Sequence, residues 1–248
     1  MKDFFKLVGH DIKKMYNYRI IHFVVVLTFM FCMTVWFLPD FGSANFLYLS
    51  IFVLPVIIFS ISMFIEREEK TFEPLITSET ETIKIVMAKI LAAVTIEILP
   101  FIGYVIITLI RSSAFVNSIH INYFFLFLVY VMGVIVHIII GLSLSIIAKT
   151  SRILSLSYLG YIVVFSLLPI LYSNGIIPEA FQYYLIISPA YLSGVLIDYI
   201  IFDTLNPELW LIILSIVLQI IYAIVLIRFV IMPFFKQYVL ATADELQK

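Results

Sequence analysis

The chain has 248 residues, of which 63% are hydrophobic and 12% are charged, and its net charge is −1. A soluble domain is about 45–50% apolar and about 25% charged, so a soluble core cannot hide this much apolar surface. The composition excludes an ordinary soluble domain, and the near-neutral charge argues against a polyanionic partner such as nucleic acid.

Residues 1–19 mix lysines with apolar side chains that recur at helical spacing. Phe4, Leu7 or Val8, Ile12 and Met15 share one face of such a helix. A basic amphipathic helix lies in the plane of the membrane, with its lysines near anionic headgroups. We therefore expect residues 1–19 to form an interfacial helix on the inner membrane surface.

Six apolar runs are each long enough to cross a bilayer, which takes about 20 helical residues. Inside lipid only a helix satisfies its own backbone polar groups, so each run is expected to be helical. The sequence therefore predicts an all-α integral membrane protein with a single transmembrane domain. The predicted spans are residues 20–38, 46–65, 90–110, 123–148, 153–172 and 209–231.

The basic residues indicate the orientation of these spans. Fourteen of the 15 lysines and arginines fall before the first span, between spans two and three, between spans four and five, or around the C-terminal end of the sixth. Only Arg111 falls on the opposite side. Because cytoplasmic loops are enriched in Lys and Arg, both termini are expected in the cytoplasm, with residues 232–248 as a cytoplasmic tail.

Residues 176–202 are apolar but interrupted by Pro189 and Gly194, and they carry Asp198. A full crossing would place the connection 203–208 in the cytoplasm without a basic residue. We therefore predict a re-entrant helical hairpin at the extracellular mouth, sheltered by protein or lining a wet cavity. Tyr184 and Tyr191 are expected in the aromatic belt at the membrane surface or, alternatively, along an exit path for an amphipathic cargo.

The connection 66–89 is the most charged part of the chain, with six acidic and four basic residues among 24. It is expected to be a polar elbow, followed by a short amphipathic helix and a return into the membrane. A charge-rich inner loop is also what any six-span protein has as a solvated face. Charge alone therefore leaves its role open.

The order of residues in this connection is more specific. Glu66-Arg67-Glu68, followed by Thr71, Glu73 and Leu75, resembles the E-R-E-x-G-T-x-E-x-L-x-x-T-P signature of type-2 ABC transporter permeases, with Thr77 one position before the Thr of the signature. In that family the signature also follows the second span. The resemblance implies a cytoplasmic coupling helix that docks into a groove on a separate ATPase subunit. The residues that it assigns to coupling are Glu66, Arg67, Glu68, Thr71, Phe72, Glu73 and Leu75.

Four positions depart from the family pattern. Lys70, Phe72 and Ser78 stand where the family favours Gly, Leu and Pro, and Pro74 lies inside the coupling helix. These departures leave the start of the coupling helix open. They do not affect the position of the signature after the second span.

The chain has no G-x-x-x-x-G-K-[ST] phosphate loop, so it cannot hydrolyse ATP by that route. We expect no catalytic, cofactor or metal site in the chain itself. The resemblance implies ATP and Mg on two copies of an ATPase subunit, and a second permease subunit, identical or homologous. It further implies a bacterial plasma membrane and export of a hydrophobic or amphipathic drug, peptide or lipid.

Two ionisable residues lie within predicted spans. Glu97 is about two turns into the third span, and His137 is midway along the fourth. Such residues are costly in lipid and commonly face protein or water. As a pair they would bind cargo or relay protons; otherwise Glu97 joins helices by a hydrogen bond and His137 is a neutral packing residue. Gly133 and Gly141 are expected to permit close helix packing.

Two other classes of protein compete with the permease. An ion-coupled secondary transporter would explain Glu97 but not the 66–89 signature, and the inverted repeats typical of that class are absent. An intramembrane protease would use Ser143 or Ser145, six and eight residues after His137. The chain has neither a G-x-S-G nor an H-E-x-x-H motif to support a protease.

Overall fold

The computed structural model describes residues 2–37, 39–69, 81–114, 121–173, 175–202 and 209–240. Every regular element within these ranges is helical. Six helices are long and apolar enough to cross a membrane, which confirms the predicted all-α architecture with six candidate spans. These spans, numbered one to six in chain order, are Ile20–Phe37, Phe46–Glu68, Thr82–Ile110, Tyr123–Ile147, Ser151–Tyr172 and Leu209–Phe235.

The helices extend beyond several of the predicted boundaries. The third span begins at Thr82 rather than at residue 90, because Ile85, Val86 and Ala88 continue its buried face.

Two spans contain a π-helical stretch. The α-helices are Lys2–Asn17, Ile20–Phe37, Pro39–Glu68, Thr82–Ala114, Tyr123–Ile147, Ser151–Tyr161, Leu168–Ser173, Gln182–Leu185, Pro189–Phe202, Leu209–Leu226 and Met232–Leu240; the π-helices are Ile162–Leu167 and Ile227–Ile231, and Glu179–Phe181 is a 3₁₀ turn.

The N-terminal helix, Lys2–Asn17, packs against the start of the third span. Its apolar residues Phe4, Leu7, Val8 and Ile12 surround two alanines of that span, Ala88 and Ala92. Small residues there let the two helices approach closely. The chain then turns sharply into the first span at Arg19, whose φ of 60° lies in the left-handed region. The amphipathic helix is thus confirmed as a helix.

The second and fourth spans form the centre of the bundle. In each of these two spans, 61% of the most apolar 18-residue stretch is buried, compared with 17% in the first and sixth spans. A Cβ added at Gly141 would lie 3.0 Å from the Val56 carbonyl oxygen, and one at Gly133 would lie 2.7 Å from Cγ2 of Ile51. Only glycine allows this approach, so the predicted packing role of both glycines is confirmed.

The segment 175–202 is broken at one of the two predicted places. The short helix Gln182–Leu185 is separated from Pro189–Phe202 at Ser188, whose hydroxyl accepts a hydrogen bond from the Tyr191 amide at 3.1 Å. The predicted break at Gly194 is wrong, because the helix runs through it and the ring of Tyr48 packs where a side chain would be. With 14 residues, this second helix is too short to cross a bilayer.

The predicted tail 232–248 begins as a helix. Met232–Leu240 is helical and continues the sixth span. Phe235 is fully buried in the same apolar core as Met63 and Ile85. An apolar helix packed in this way is part of the bundle; residues 241–248 lie outside the described ranges.

Candidate functional site

Four charged side chains meet where the N-terminal helix, the second span and the third span come together. Lys89 Nζ lies 2.9 Å from Asp11 Oδ1, and 2.8 and 3.1 Å from the two carboxylate oxygens of Glu66. Lys14 Nζ lies 3.0 Å from Glu66 Oε2. Two carboxylates and two ammonium groups balance one another. We call these four residues the ionic cluster.

The ionic cluster is withdrawn from solvent. Lys89 is 1% exposed, Glu66 2% and Asp11 4%. Charges at this depth lose their hydration, and only close pairing with further hydrogen bonds offsets that loss. Burial raises the pKa of Asp11 above its usual range, and the neighbouring Lys89 ammonium opposes that rise. The cluster is therefore a set of mutually dependent charges.

Helical geometry explains how the cluster forms. Val8, Asp11 and Met15 lie at positions i, i+3 and i+7 of the N-terminal helix, and all three are buried. Lys89 directly follows Ala88, which this helix contacts. The apolar contacts that dock the N-terminal helix therefore bring Asp11 to Lys89.

Arg67, next to Glu66, binds a different part of the bundle. Its guanidinium donates hydrogen bonds to the carbonyls of Ala148 at 3.0 Å and Lys149 at 3.3 Å, just past the end of the fourth span. It also lies 4.4 Å from the centre of the Phe64 ring and 3.6 Å from Glu68. A cation that binds terminal carbonyls satisfies groups left unpaired by the helix end. Arg67 thus holds the second span to the junction of spans four and five.

The predicted coupling residues divide into two groups. Glu66 and Arg67 are buried, and Glu68 is exposed. Thr71, Phe72, Glu73 and Leu75 lie outside the described residues. Of the predicted connection 66–89, residues 66–68 belong to the second-span helix and 82–89 to the third-span helix, and residues 70–80 lie outside the described ranges.

Sequence reasoning missed two members of the ionic cluster. Asp11 and Lys14 were not predicted as site residues, and Lys89 was noted only for its position in the next helix. The available signal was Asp11 itself, an acid on the apolar face of the N-terminal helix. An acid on such a face calls for a buried basic partner.

Glu97 lies in the third span and is 2% exposed. Its Oε2 atom has no hydrogen-bond partner in the described part of the chain. The Tyr130 hydroxyl donates to the backbone carbonyl of Glu97 at 2.8 Å. The hydrogen bond that joins the third and fourth spans here therefore involves the backbone of Glu97 and not its carboxyl group.

His137 is fully buried in the fourth span. Its Nδ1 lies 2.7 Å from the Gly133 carbonyl. Since a carbonyl only accepts, Nδ1 carries the proton and Nε2 of the neutral ring is an acceptor. Nε2 has no partner among the described residues. No hydrogen bond or ion pair joins His137 directly to Glu97 within the described ranges.

Tyr184 and Tyr191 occupy different environments. Tyr184 is 73% exposed and lines an apolar cavity of about 470 Å³ together with Val164, Leu168 and Phe181. Tyr191 is 6% exposed, and its ring lies edge-on to Tyr172 with centroids 5.9 Å apart. One surface belt cannot contain both residues.

The geometry gives no support to a protease. Ser143 donates a hydrogen bond to the Ile139 carbonyl at 2.8 Å, and Ser145 to the Leu142 carbonyl at 2.7 Å. Both hydroxyls are thus bonded within their own helix and not to His137. Within the described ranges, no three His, Cys, Asp or Glu residues are grouped as metal ligands.

Comparison of the chain with models of protein families, with curated proteins and with solved structures finds no significant match. The function is therefore argued from the signature after the second span and from the geometry around it. Both concern Glu66 and Arg67.

Proposed function

We propose that the chain is the membrane-spanning permease subunit of an ATP-driven ABC transporter, with both termini in the cytoplasm. The observation that supports this most is the burial of Glu66 and Arg67, the first two signature residues, at the base of the connection between spans two and three. Charges at the end of a span that merely connects to the next one are expected to remain solvated. Glu66 and Arg67 are instead buried, and their contacts reach the N-terminal helix, the third span and the junction of spans four and five.

These contacts suit the transmission of force. A displacement of the connection moves the end of the second span, which Glu66 joins through Lys89 to the third span and to Asp11 of the N-terminal helix. Arg67 passes the same displacement to the junction of spans four and five. Alternating access moves packed helices as rigid bodies, and close buried pairs keep their ends together. The partner ATPase supplies the chemistry of ATP and Mg.

The N-terminal helix fits an interfacial position. Lys6 and Lys13 are exposed, whereas Val8, Asp11 and Met15 are buried against the bundle. In the proposed topology, this helix lies on the inner membrane surface with its exposed lysines near anionic lipid headgroups. The break at Ser188 then belongs to a re-entrant hairpin at the outer face.

Substitutions in the connection test the coupling role. We expect Glu73→Ala and Leu75→Asp to abolish ATP-driven transport while membrane insertion and ATP hydrolysis by the partner continue. Glu79→Ala is the matched control, since Glu79 lies in the same connection outside the signature. Vanadate-sensitive ATP hydrolysis and transport are measured in the same proteoliposomes. Wild-type transport by both signature variants would contradict the assignment.

A second candidate is an ion-coupled secondary transporter, and the buried, unpartnered Oε2 of Glu97 favours it. A single carboxyl group within a span is a common carrier of protons. This function predicts transport driven by a proton gradient without ATP and abolished in Glu97→Gln. ATP-dependent transport that is unchanged in Glu97→Gln rejects it.

A further inference from the structure

A second polar group of residues lies between the second span and the Pro189–Phe202 helix. Tyr191, Gly194 and Asp198 occupy positions i, i+3 and i+7 of that helix and therefore share one face. The Tyr48 ring packs directly onto Gly194, in the space that a Cβ atom would need. Tyr48 thus packs on the same face of that helix that carries Tyr191 and Asp198.

This group is far from the ionic cluster. Tyr48 and Glu66 lie on one continuous helix, Pro39–Glu68. At 1.5 Å per residue their separation along the axis is about 27 Å, close to the thickness of the bilayer core. The two groups therefore lie at opposite ends of the bundle, and the proposed coupling does not use the second one.

Asp198 places a carboxyl group in an apolar setting. It is half-buried, and no ion pair or hydrogen bond to its carboxylate occurs within the described ranges. A carboxylate among apolar helices is unfavourable unless a cation or hydrogen-bond donors accompany it. Asp198 therefore calls for a positively charged partner.

Aromatic rings lie along the helix face that carries Asp198. Tyr48 lies edge-on to Phe52 at 4.4 Å, and Tyr191 edge-on to Tyr172 at 5.9 Å. The negative faces of aromatic rings attract cations, most strongly where water is excluded. A carboxylate beside tyrosine rings thus matches a cation that also has apolar surface.

Two buried polar atoms lie in the fourth and fifth spans. The Tyr161 ring lies 6.1 Å from the His137 ring. The Tyr161 hydroxyl and His137 Nε2 are buried and have no hydrogen-bond partner in the described part of the chain. Both atoms are able to hydrogen-bond a polar group of a ligand.

We propose that Asp198, Tyr48 and Tyr191 form a binding site for a hydrophobic organic cation, such as an alkyl- or arylammonium compound. The positive group lies beside Asp198 and its apolar part against the rings. A neutral lipid would leave the carboxylate unpaired, and an anion would be repelled. The site deepens the proposed function by naming its class of cargo, and it rests on that function only for the role of the ligand as cargo.

The site is tested by comparing the binding of two ligands that have the same shape, one charged and one neutral. The full chain in lipid nanodiscs is titrated with benzyltrimethylammonium and with its carbon isostere neopentylbenzene, followed by ligand-observed NMR. We expect the cation to bind about tenfold more tightly than the isostere. Asp198→Asn should reduce this preference to the part that the rings supply, without changing the affinity for neopentylbenzene. Equal affinities in the wild type, or an unreduced preference in Asp198→Asn, would overturn the proposal.

Two further variants separate binding from folding. Asp198→Glu should keep the preference for the cation, and Tyr191→Phe should bind it as the wild type does. Tyr191→Leu should weaken binding of the cation about three- to tenfold, because the ring is lost. Loss of both ligands in Asp198→Glu, or wild-type affinity in Tyr191→Leu, would contradict the site. The binding assay contains no ATPase. Failure of the cation to bind would therefore contradict the site and leave the proposed coupling to an ATPase intact.

Discussion

The ionic cluster and the mid-span residues Glu97 and His137 are both buried, but they differ in pairing. In the cluster, each carboxylate lies within 2.9 Å of the Lys89 ammonium. Glu97 Oε2 and His137 Nε2 have no hydrogen-bond partner in the part of the chain that the structure describes. Paired charges hold helices in fixed positions, whereas an unpaired polar group remains able to exchange a proton or a ligand.

The difference has a consequence for stability. Removal of one partner from a buried ion pair leaves an uncompensated charge and is strongly unfavourable. Removal of a buried group that has no partner relieves a desolvation penalty. Substitutions in the two regions should therefore change the free energy of unfolding in opposite directions.

Lys89→Met should have the largest effect. The carboxylates of Asp11 and Glu66 would then lose the ammonium group that both contact, and the free energy of unfolding should fall by about 3–5 kcal/mol. Equilibrium unfolding in nanodiscs measures the change. A loss below about 1 kcal/mol would show that the cluster does not hold these helices together.

Glu97→Leu should act in the opposite direction. It replaces an unpartnered carboxyl group by an apolar side chain of similar size, so the free energy of unfolding should rise by about 1–3 kcal/mol. The same unfolding assay applies, with Tyr130→Phe as a control that removes the neighbouring hydrogen bond and should lower stability by about 1 kcal/mol. A destabilised Glu97→Leu variant would mean that the carboxyl group is paired.

Asp11 should give a smaller effect that depends on pH. Its pKa is raised in the folded protein by burial, so the folded state binds this proton more tightly than the unfolded state. The contribution of Asp11 is therefore fully present below the usual value of 3.8 and is lost as the pH rises through the folded pKa. Relative to Asp11→Asn, the free energy of unfolding of the wild type should fall as the pH rises from 3.8 through the folded-state pKa of Asp11. A rise in stability over this pH range would contradict the raised pKa.

Lys84→Met should have the smallest effect and serves as the matched control for Lys89→Met. Lys84 lies on the same helix, and its ion pair with Glu81, at 3.1 Å, is exposed on both sides. Such pairs contribute less than about 0.5 kcal/mol. A loss comparable to that of Lys89→Met would show that burial is not what distinguishes the two lysines.

Much of the fold could be predicted because the bilayer fixes the length and polarity of a span. The ionic cluster could not, since Asp11 and Lys89 are far apart in sequence and meet only through helix packing. The E-R-E pattern marked Glu66 and Arg67 without indicating their partners. Gly194 was misjudged because glycine was taken as a helix breaker, whereas here it makes room for Tyr48.

Transport in proteoliposomes that contain the chain and a co-purified phosphate-loop ATPase tests the central claim most directly. ATP and an imposed proton gradient are supplied separately as energy sources. The proposed coupling predicts transport with ATP alone, blocked by vanadate and absent in Leu75→Asp. Transport driven by the proton gradient alone, in vesicles that lack the ATPase, would contradict it.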